Sequence, residues 1–336
     1  MSFNKIIGQK VVINSLKNCI RNNKVSHAYI FEGPEGIGKK TIASLLASAL
    51  TCERKGTDPC GVCKSCIQNK SGNHPDVKFL HGETGSIGVD MIRDLQKDMY
   101  IKPYSADKKI YIISEADKMT LQAQNSLLKV LEEPPAYGMF ILTTINASLL
   151  LKTILSRSVV LRFAVHPYEE IEEFLKNEYP GLGEEVSVIA RLSGGIIGRA
   201  KDVAESQEFR TLRRDIFNRV YKLLSPNKAV LIDAADYFIE YKQSNRLLLD
   251  FLLSWFRDVL IIKESHDKKK VINIDMIDNI YEFALNVTSY SICKIIEIIM
   301  DTKKKIDMNV NYALAIETMF IRSWEEIHGN GGRSTV

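Results

Sequence analysis

Two groups of residues near the N-terminus have types and spacing suited to chemistry. One is the run Gly33-Pro-Glu-Gly36-Ile-Gly38-Lys39-Lys40-Thr41, and the other is the cysteine set Cys52, Cys60, Cys63 and Cys66. The glycine run sits between a short β-rich stretch, Ala28 to Phe31, and the helical pattern TIASLLASAL. In that context the loop's backbone N–H groups can curl around phosphate at a helix N-terminus. Lys39 then stands where a Walker A lysine reaches the β- and γ-phosphates. Gly33, Gly36, Gly38, Lys39, Lys40 and Thr41 are therefore the candidate ATP or ADP contacts, against the plainer reading of a glycine-rich turn without ligand. The run departs from the full motif at one place. Ser or Thr should follow the lysine to hold Mg2+ through its hydroxyl, but here that position is Lys40. Thr41 comes one residue late, and one residue turns a helix by about 100°, so its hydroxyl points away.

The cysteines follow the pattern C-x7-C-x2-C-x2-C. Four thiolates in so short a stretch can reach one tetrahedral ion, and a closed set of soft sulfur ligands favours Zn2+ at a structural site over a catalytic one. Two disulfides, with three possible connectivities, or reduced unliganded thiols are the alternatives. The N-terminal MSFNKIIGQKVVINSL is polar and charged, unlike a secretory signal, which argues against an oxidising compartment. Cys19 and Cys293 lie in apolar helical patterns and are expected to be inert core thiols.

The chain has 336 residues, 45% hydrophobic and 26% charged, which predicts two or three globular domains. No apolar run approaches the roughly 20 residues that span a bilayer, so a soluble, cytoplasmic protein is expected. A formal net charge of +4 is too small and dispersed to establish nucleic-acid binding.

A second nucleotide element follows at Lys109-Ile-Tyr-Ile-Ile-Ser114-Glu115-Ala-Asp117, a buried-strand pattern with polar residues at its end. P-loop ATPases of the AAA+ class carry Asp-Glu at such a strand end, the first for magnesium and the second to polarise water. Here the first is Ser114. Glu115 keeps the water-polarising position as a degenerate Walker B residue, or is a surface glutamate capping the next turn.

Gln122-Ala-Gln-Asn125-Ser-Leu-Leu-Lys129-Val-Leu-Glu132-Glu133-Pro134-Pro135, then Ile141-Leu-Thr143-Thr144 and Thr153-Ile-Leu-Ser156-Arg157-Ser158, resemble the signature run of bacterial DNA polymerase III clamp-loader subunits. The resemblance covers essentially all of residues 1–165. A cysteine module after the P-loop helix is a feature of the tau/gamma ATPases and of the delta-prime branch of that family. The chain is similar to the delta-prime branch, since both nucleotide motifs are altered and no long tau-like extension follows. The resemblance implies a non-catalytic, stator-like subunit of the DNA polymerase III holoenzyme, active in sliding-clamp loading during DNA replication. An ATP-hydrolysing tau/gamma-type subunit is the alternative. It implies partners in the tau/gamma and delta subunits and the sliding clamp, indirect contact with primer-template DNA, and no membrane. It also makes Arg157 an arginine finger offered to the γ-phosphate of a neighbouring ATPase, a role suited to a permanently charged, fork-shaped guanidinium. An arginine paired with a nearby carboxylate is the plainer reading. Thr143 or Thr144 falls at the first sensor. Arg199, in Ser193-Gly-Gly195-Ile-Ile-Gly198-Arg199-Ala200, falls at the second, facing the chain's own P-loop.

Beyond residue 165 the pattern is wholly helical. Tyr168 opens a helix, Pro180 to Gly183 break it, and Glu184 to Leu192 form a short amphipathic segment. Longer apolar helices follow, with Trp255 expected in a bundle core. Lys268 to Lys270 and Lys303 to Lys305 read as solvated loop ends between helices. The expected architecture is an α/β P-loop AAA+ domain with a parallel sheet (1–165) carrying the zinc module (52–66). A small helical lid (166–206), an all-α collar domain for oligomerisation (207–328) and a disordered tail (329–336) complete it.

Overall fold

Short β-rich runs alternate with amphipathic helices through the first half of the chain, and a parallel sheet covered on both faces is the arrangement that buries all of them. The computed structural model describes residues 2–329 apart from 83, 84, 184, 207, 266 and 309, with the side chains of 210 and 269 also outside the description. The expected tail beyond Gly329 thus lies outside the described residues. The elements run α1 (Lys10–Arg21), β1 (Ala28–Glu32), α2 (Lys39–Leu50), α3 (Lys64–Lys70), β2 (Val77–Leu80), α4 (Val89–Met99), β3 (Lys109–Ile113), α5 (Leu121–Glu132), β4 (Gly138–Thr144), α6 (Lys152–Leu155) and β5 (Val159–Arg162). Helices alone follow: α7 (Tyr168–Glu178), α8 (Glu185–Leu192), α9 (Ile197–Glu205), α10 (Phe209–Lys222), α11 (Ala229–Glu240), α12 (Asn245–Ser265), α13 (Ile277–Asn286), α14 (Ser289–Asp307) and α15 (Tyr312–His328). Two compact units result. One is Met1–Phe174 with Gly195–Arg199, and the other is Leu175–Gly194 with Ala200–Val336.

In the first unit the strand order is β2-β3-β4-β1-β5, with every pair parallel. Successive side chains point to opposite faces of a strand, so β1 feeds two cores at once. Tyr29 and Phe31 join Ile110, Ile112, Met139 and Ile141 beneath α1 and α2. Ala28 and Ile30 join Tyr111, Ile113, Phe140 and Leu142 beneath α4, α5 and α6. The register sets Glu32 beside Thr144 and Ile113 beside Leu142, so the C-terminal ends of β1, β3 and β4 reach one edge together.

The opposite end of β3 is pinned by charge. The Asp98 carboxylate, one residue from the end of α4, meets Lys78 of β2 at 2.8 Å and Lys109 of β3 at 3.0 Å, and accepts the Tyr111 hydroxyl. Burial works to raise its pKa, but hydrogen bonds from Lys78, Tyr111 and Lys109 outweigh burial and bring it to about 2.

The second unit is helical, as expected. Its centre is aromatic: Trp255 packs 5.0 Å from Phe217 and 6.2 Å from Phe283, and is almost fully buried. Beside it the buried Asp258 carboxylate accepts N–H bonds from Ile272 and Asn273, while the Arg213 guanidinium reaches both Asn273 and Asp275. This fully paired polar cluster fixes α10, α12 and the approach to α13. Two expectations are corrected here. Lys303 to Lys305 lie inside the last turns of α14, where basic residues complement the helix dipole, and not between helices. Lys303 pairs with Asp250 and Lys305 with Asp301, while Lys270 pairs with Asp267. Cys293 is exposed, because it shares with Tyr290 and Met300 the face of α14 turned to solvent, and Cys19 is half-buried; neither is a core thiol. Among the described residues no single helix is long and apolar enough to cross a membrane.

Because the Asp98 pKa is depressed in the fold, the stabilisation is present above the unfolded pKa of roughly 3.9 and is lost as pH falls towards 2. Asp98→Asn is expected to lower unfolding stability at pH 7 by on the order of 1 kcal/mol. Urea titrations repeated between pH 5 and pH 2 should show the difference from wild type closing.

Candidate functional site

The glycine loop lies at the sheet edge where β1 ends and α2 begins. Gly36 (φ 79°) and Gly38 (φ 100°) take backbone angles that side-chain-bearing residues rarely adopt, and Gly38 caps the first turn of α2. The α9 start closes against this loop. The Gly198 N–H donates to the Gly36 carbonyl at 2.9 Å, and a β-carbon at Gly198 would lie 2.7 Å from that oxygen. The close approach requires glycine and brings the Arg199 backbone beside the loop, so the second-sensor position sits against the P-loop of its own chain.

Opposite the loop, a cavity of about 130 Å3 is lined by Glu35, Lys39, Glu115, Asp117, Lys118, Thr143, Thr144 and Ile145. Three strand ends thus bring the predicted nucleotide residues together. Their bonds, however, are satisfied within the chain. The Lys39 ammonium donates to the Gly33 and Pro34 carbonyls, and burial lowers its pKa against the pull of Asp117, Glu35 and Glu115. Glu115 forms an ion pair with Lys118 rather than capping the following turn, and its N–H donates to the Thr143 hydroxyl. The Thr144 hydroxyl donates to Asp117 at 2.8 Å.

The positions that the two motifs assign to magnesium do not fit that ion. Lys40 turns its ammonium over the Phe79 ring, 5.9 Å from the centroid, and Thr41 is solvent-exposed at the start of α2. The Ser114 hydroxyl, where a metal-holding carboxylate would stand, is buried without a hydrogen-bond partner among the described residues.

Arg157 follows α6, away from this cavity. Its Nη2 meets Glu132 at 3.0 Å, and its Nη1 donates to the Thr153 carbonyl at 3.1 Å and the Ser156 hydroxyl at 3.3 Å. Its side chain remains 36% exposed, and a half-exposed ion pair of this kind is worth about 0–1 kcal/mol. The Glu132 partner is therefore weakly held.

The cysteine module hangs off the end of α2. All four sulfurs lie within 4.8 Å of one another, with Cys52 to Cys63 at 4.0 Å and Cys60 to Cys66 at 3.9 Å. A tetrahedral zinc with Zn–S bonds of about 2.3 Å needs sulfurs roughly 3.8 Å apart, so the set fits that ion. No disulfide joins them. The Cys60, Cys63 and Cys66 N–H groups point at the sulfurs of Cys52, Cys60 and Cys63, donors that favour thiolate, and Cys63 caps α3. Hydrogen bonds from the Val62 and Cys63 backbone bring the Cys60 pKa down to about 6, whereas burial pushes Cys66 up to about 12. Four adjacent thiols cannot all ionise without a cation, and a metal ion held by the four sulfurs would supply that charge.

A family model described as DNA polymerase III, delta subunit, matches residues 8–167, and another, DNA polymerase III, delta subunit, C terminal, matches residues 207–326. DNA polymerase III subunit delta' of Bacillus subtilis (strain 168) is 34% identical over 311 residues, spanning 90% of this chain and 92% of the relative. The chain belongs to the DNA polymerase III delta' family. Other members of the polymerase's subunit set are also similar to this delta' chain. DNA polymerase III subunit gamma of Buchnera aphidicola subsp. Schizaphis graminum is 27% identical over 97% of the chain and 96% of the relative. DNA polymerase III subunit tau of Bacillus subtilis is 38% identical over 46% of the chain but only 28% of the relative.

Sequence reasoning missed the partners of these residues. The resemblance set the Ser193–Ala200 run against the P-loop, but the Gly198 N–H bond to the Gly36 carbonyl joins distant segments and had no local signal beyond the glycines. A pocket of about 240 Å3 bounded by Gly8, Gln9, Arg162, His166 and Glu170 was missed altogether. Gly8 (φ 59°) must be glycine there, since a β-carbon would meet the His166 ring at 2.2 Å.

The thiolate set predicts one tightly held zinc per delta' chain, measured by elemental analysis of the purified protein. Cys63→Ser is expected to lose that stoichiometric metal, since a hydroxyl is a poor zinc ligand.

Proposed function

We propose that this delta' chain is the non-catalytic, stator-like subunit of the clamp loader that serves the DNA polymerase III holoenzyme. The buried Ser114 hydroxyl carries this reading: it occupies the position where a hydrolysing subunit needs a carboxylate for magnesium. Lys40 and the Glu115–Lys118 ion pair support it, since neither leaves a group ready to serve the metal or the attacking water. A nucleotide held by Gly33, Gly36, Gly38 and Lys39 would be a passive ligand.

The chemistry this chain contributes is then directed outward. Arg157 is the finger offered to the γ-phosphate held by a neighbouring tau/gamma subunit, and the weak Glu132 pair keeps it oriented until assembly. Zinc at Cys52, Cys60, Cys63 and Cys66 is structural. Residues 166–206 act as a lid and residues 207–328 as the collar that joins tau/gamma and delta subunits in a ring. The sliding clamp and primer-template DNA are engaged by that assembly, in the cytoplasm.

The competing reading, an active tau/gamma-type motor, draws support from the near full-length similarity to a gamma subunit. ATP turnover by the isolated chain with Mg2+ separates the two. The stator reading expects no hydrolysis above the protein-free background, and turnover near 1 s−1 or faster, as in an ordinary ATPase, overturns it.

A further inference from the structure

We infer that the four-cysteine module is a brace whose bound metal fixes the loop between α4 and β3, residues 100–108, through Ser65, His74 and Asp76. This rests on the zinc reading proposed above. Ser65 lies between Cys63 and Cys66 in the first turn of α3, and its hydroxyl meets His74 Nε2 at 2.9 Å. The other ring nitrogen, Nδ1, accepts the Asp76 N–H at 3.1 Å, so Nε2 carries the proton and donates to Ser65. Asp76 is 2% exposed, and its carboxylate accepts three consecutive loop amides: Tyr104 at 2.6 Å, Ser105 at 2.7 Å and Ala106 at 2.9 Å. The Ser105 hydroxyl adds a fourth bond at 3.0 Å. A second link runs from Lys55, in the first loop of the module, to Asp107 at 2.8 Å; both side chains are exposed, so it is the weaker of the two.

The loop has no ladder or helix of its own; its 104–106 amides are held by one buried carboxylate, while its first two carbonyls accept from Tyr137 and Lys109. The Asp76 backbone is held on one side by the Ile110 N–H on its carbonyl and on the other by its own N–H on His74 Nδ1, and the remaining ring nitrogen of His74 goes to the cysteine module. At seven residues, α3 is too short to hold its shape by helix propensity, so the position of Ser65 rests on the sulfurs that flank it together with the Asn69 amide, which donates to the Thr51 hydroxyl at 2.8 Å and the Ser65 carbonyl at 3.1 Å. When the metal leaves, the buried His74 N–H loses its acceptor, and a buried donor without a partner does not keep its place. With the ring displaced, the Asp76 N–H loses its acceptor while its carbonyl still accepts from Ile110, and the three amides open more readily. The segment so controlled presents Ile101 and Tyr104 to solvent, at 63% and 88% exposure. Metal occupancy therefore sets how firmly two large apolar side chains are presented on the surface.

Peptide-resolved hydrogen exchange on the full chain, zinc-loaded and after chelation, tests the link. Chelation is expected to speed exchange of the 104–106 amides by about 10-fold or more. In the zinc-loaded chain, Ser65→Ala combined with Lys55→Ala should speed the same amides while elemental analysis still finds one zinc. Chelation that opens residues 52–70 but leaves 104–106 protected overturns the brace and leaves the zinc site standing. A chain that holds no zinc overturns both. If chelation also strips protection from β1 and β4, the doubly substituted zinc-loaded chain decides, and wild-type protection at 104–106 in that variant overturns the brace.

Discussion

Parallel pairing of β1, β3 and β4 is the constraint on which the site depends. Strands that run the same way must end at the same edge, so the loop after β1, the Ser114–Glu115 step after β3 and the Thr143–Thr144 end of β4 converge whatever chemistry they carry. The sheet is bought by burial: two cores, one on each face, hold the strands in register. The geometry of a nucleotide site is thereby retained independently of the residues that would use it. Neither Lys40 nor Ser114 belongs to the two cores, so the P-loop framework does not depend on which residues stand at those positions.

The same separation of scaffold from chemistry holds at the cysteine module. Its sulfurs are gathered by local backbone, with N–H groups of Cys60, Cys63 and Cys66 aimed at neighbouring thiols and Cys63 capping α3. The module's links through Ser65 and Lys55 reach the loop after α4, and its Asp58 holds the Phe3 N–H and the Lys17 ammonium of α1; none of these residues lines the P-loop cavity. Metal and nucleotide features share a unit without sharing a mechanism.

What the sequence disclosed was local. Glycine spacing between a strand and a helix marked the P-loop, four cysteines in a short run marked a metal-sized cluster, and the Trp255 pattern marked a helical core, because each depends on neighbours a few residues away. What it withheld depends on contacts between distant segments. The Gly198 N–H on the Gly36 carbonyl, the Glu132 partner of Arg157, and the His74–Asp76 relay all join residues with no periodic relation to one another. Lys303 to Lys305 misled for a related reason: a basic triplet looks the same in a loop as in the last turns of a helix, and only the packing of α14 distinguishes them. Cys293 reads as apolar core until the face of α14 it occupies is known.

On the proposed function, the chemistry this chain contributes lies at Arg157, which does not line the cavity beside the P-loop. The most direct test is single-turnover ATP hydrolysis by a tau/gamma neighbour in a reconstituted assembly carrying Arg157→Ala in this chain. The account predicts a fall of about 10³-fold at the adjoining site, the scale of an arginine finger, with assembly unchanged by sedimentation. Undiminished hydrolysis at that site in an intact assembly would contradict it.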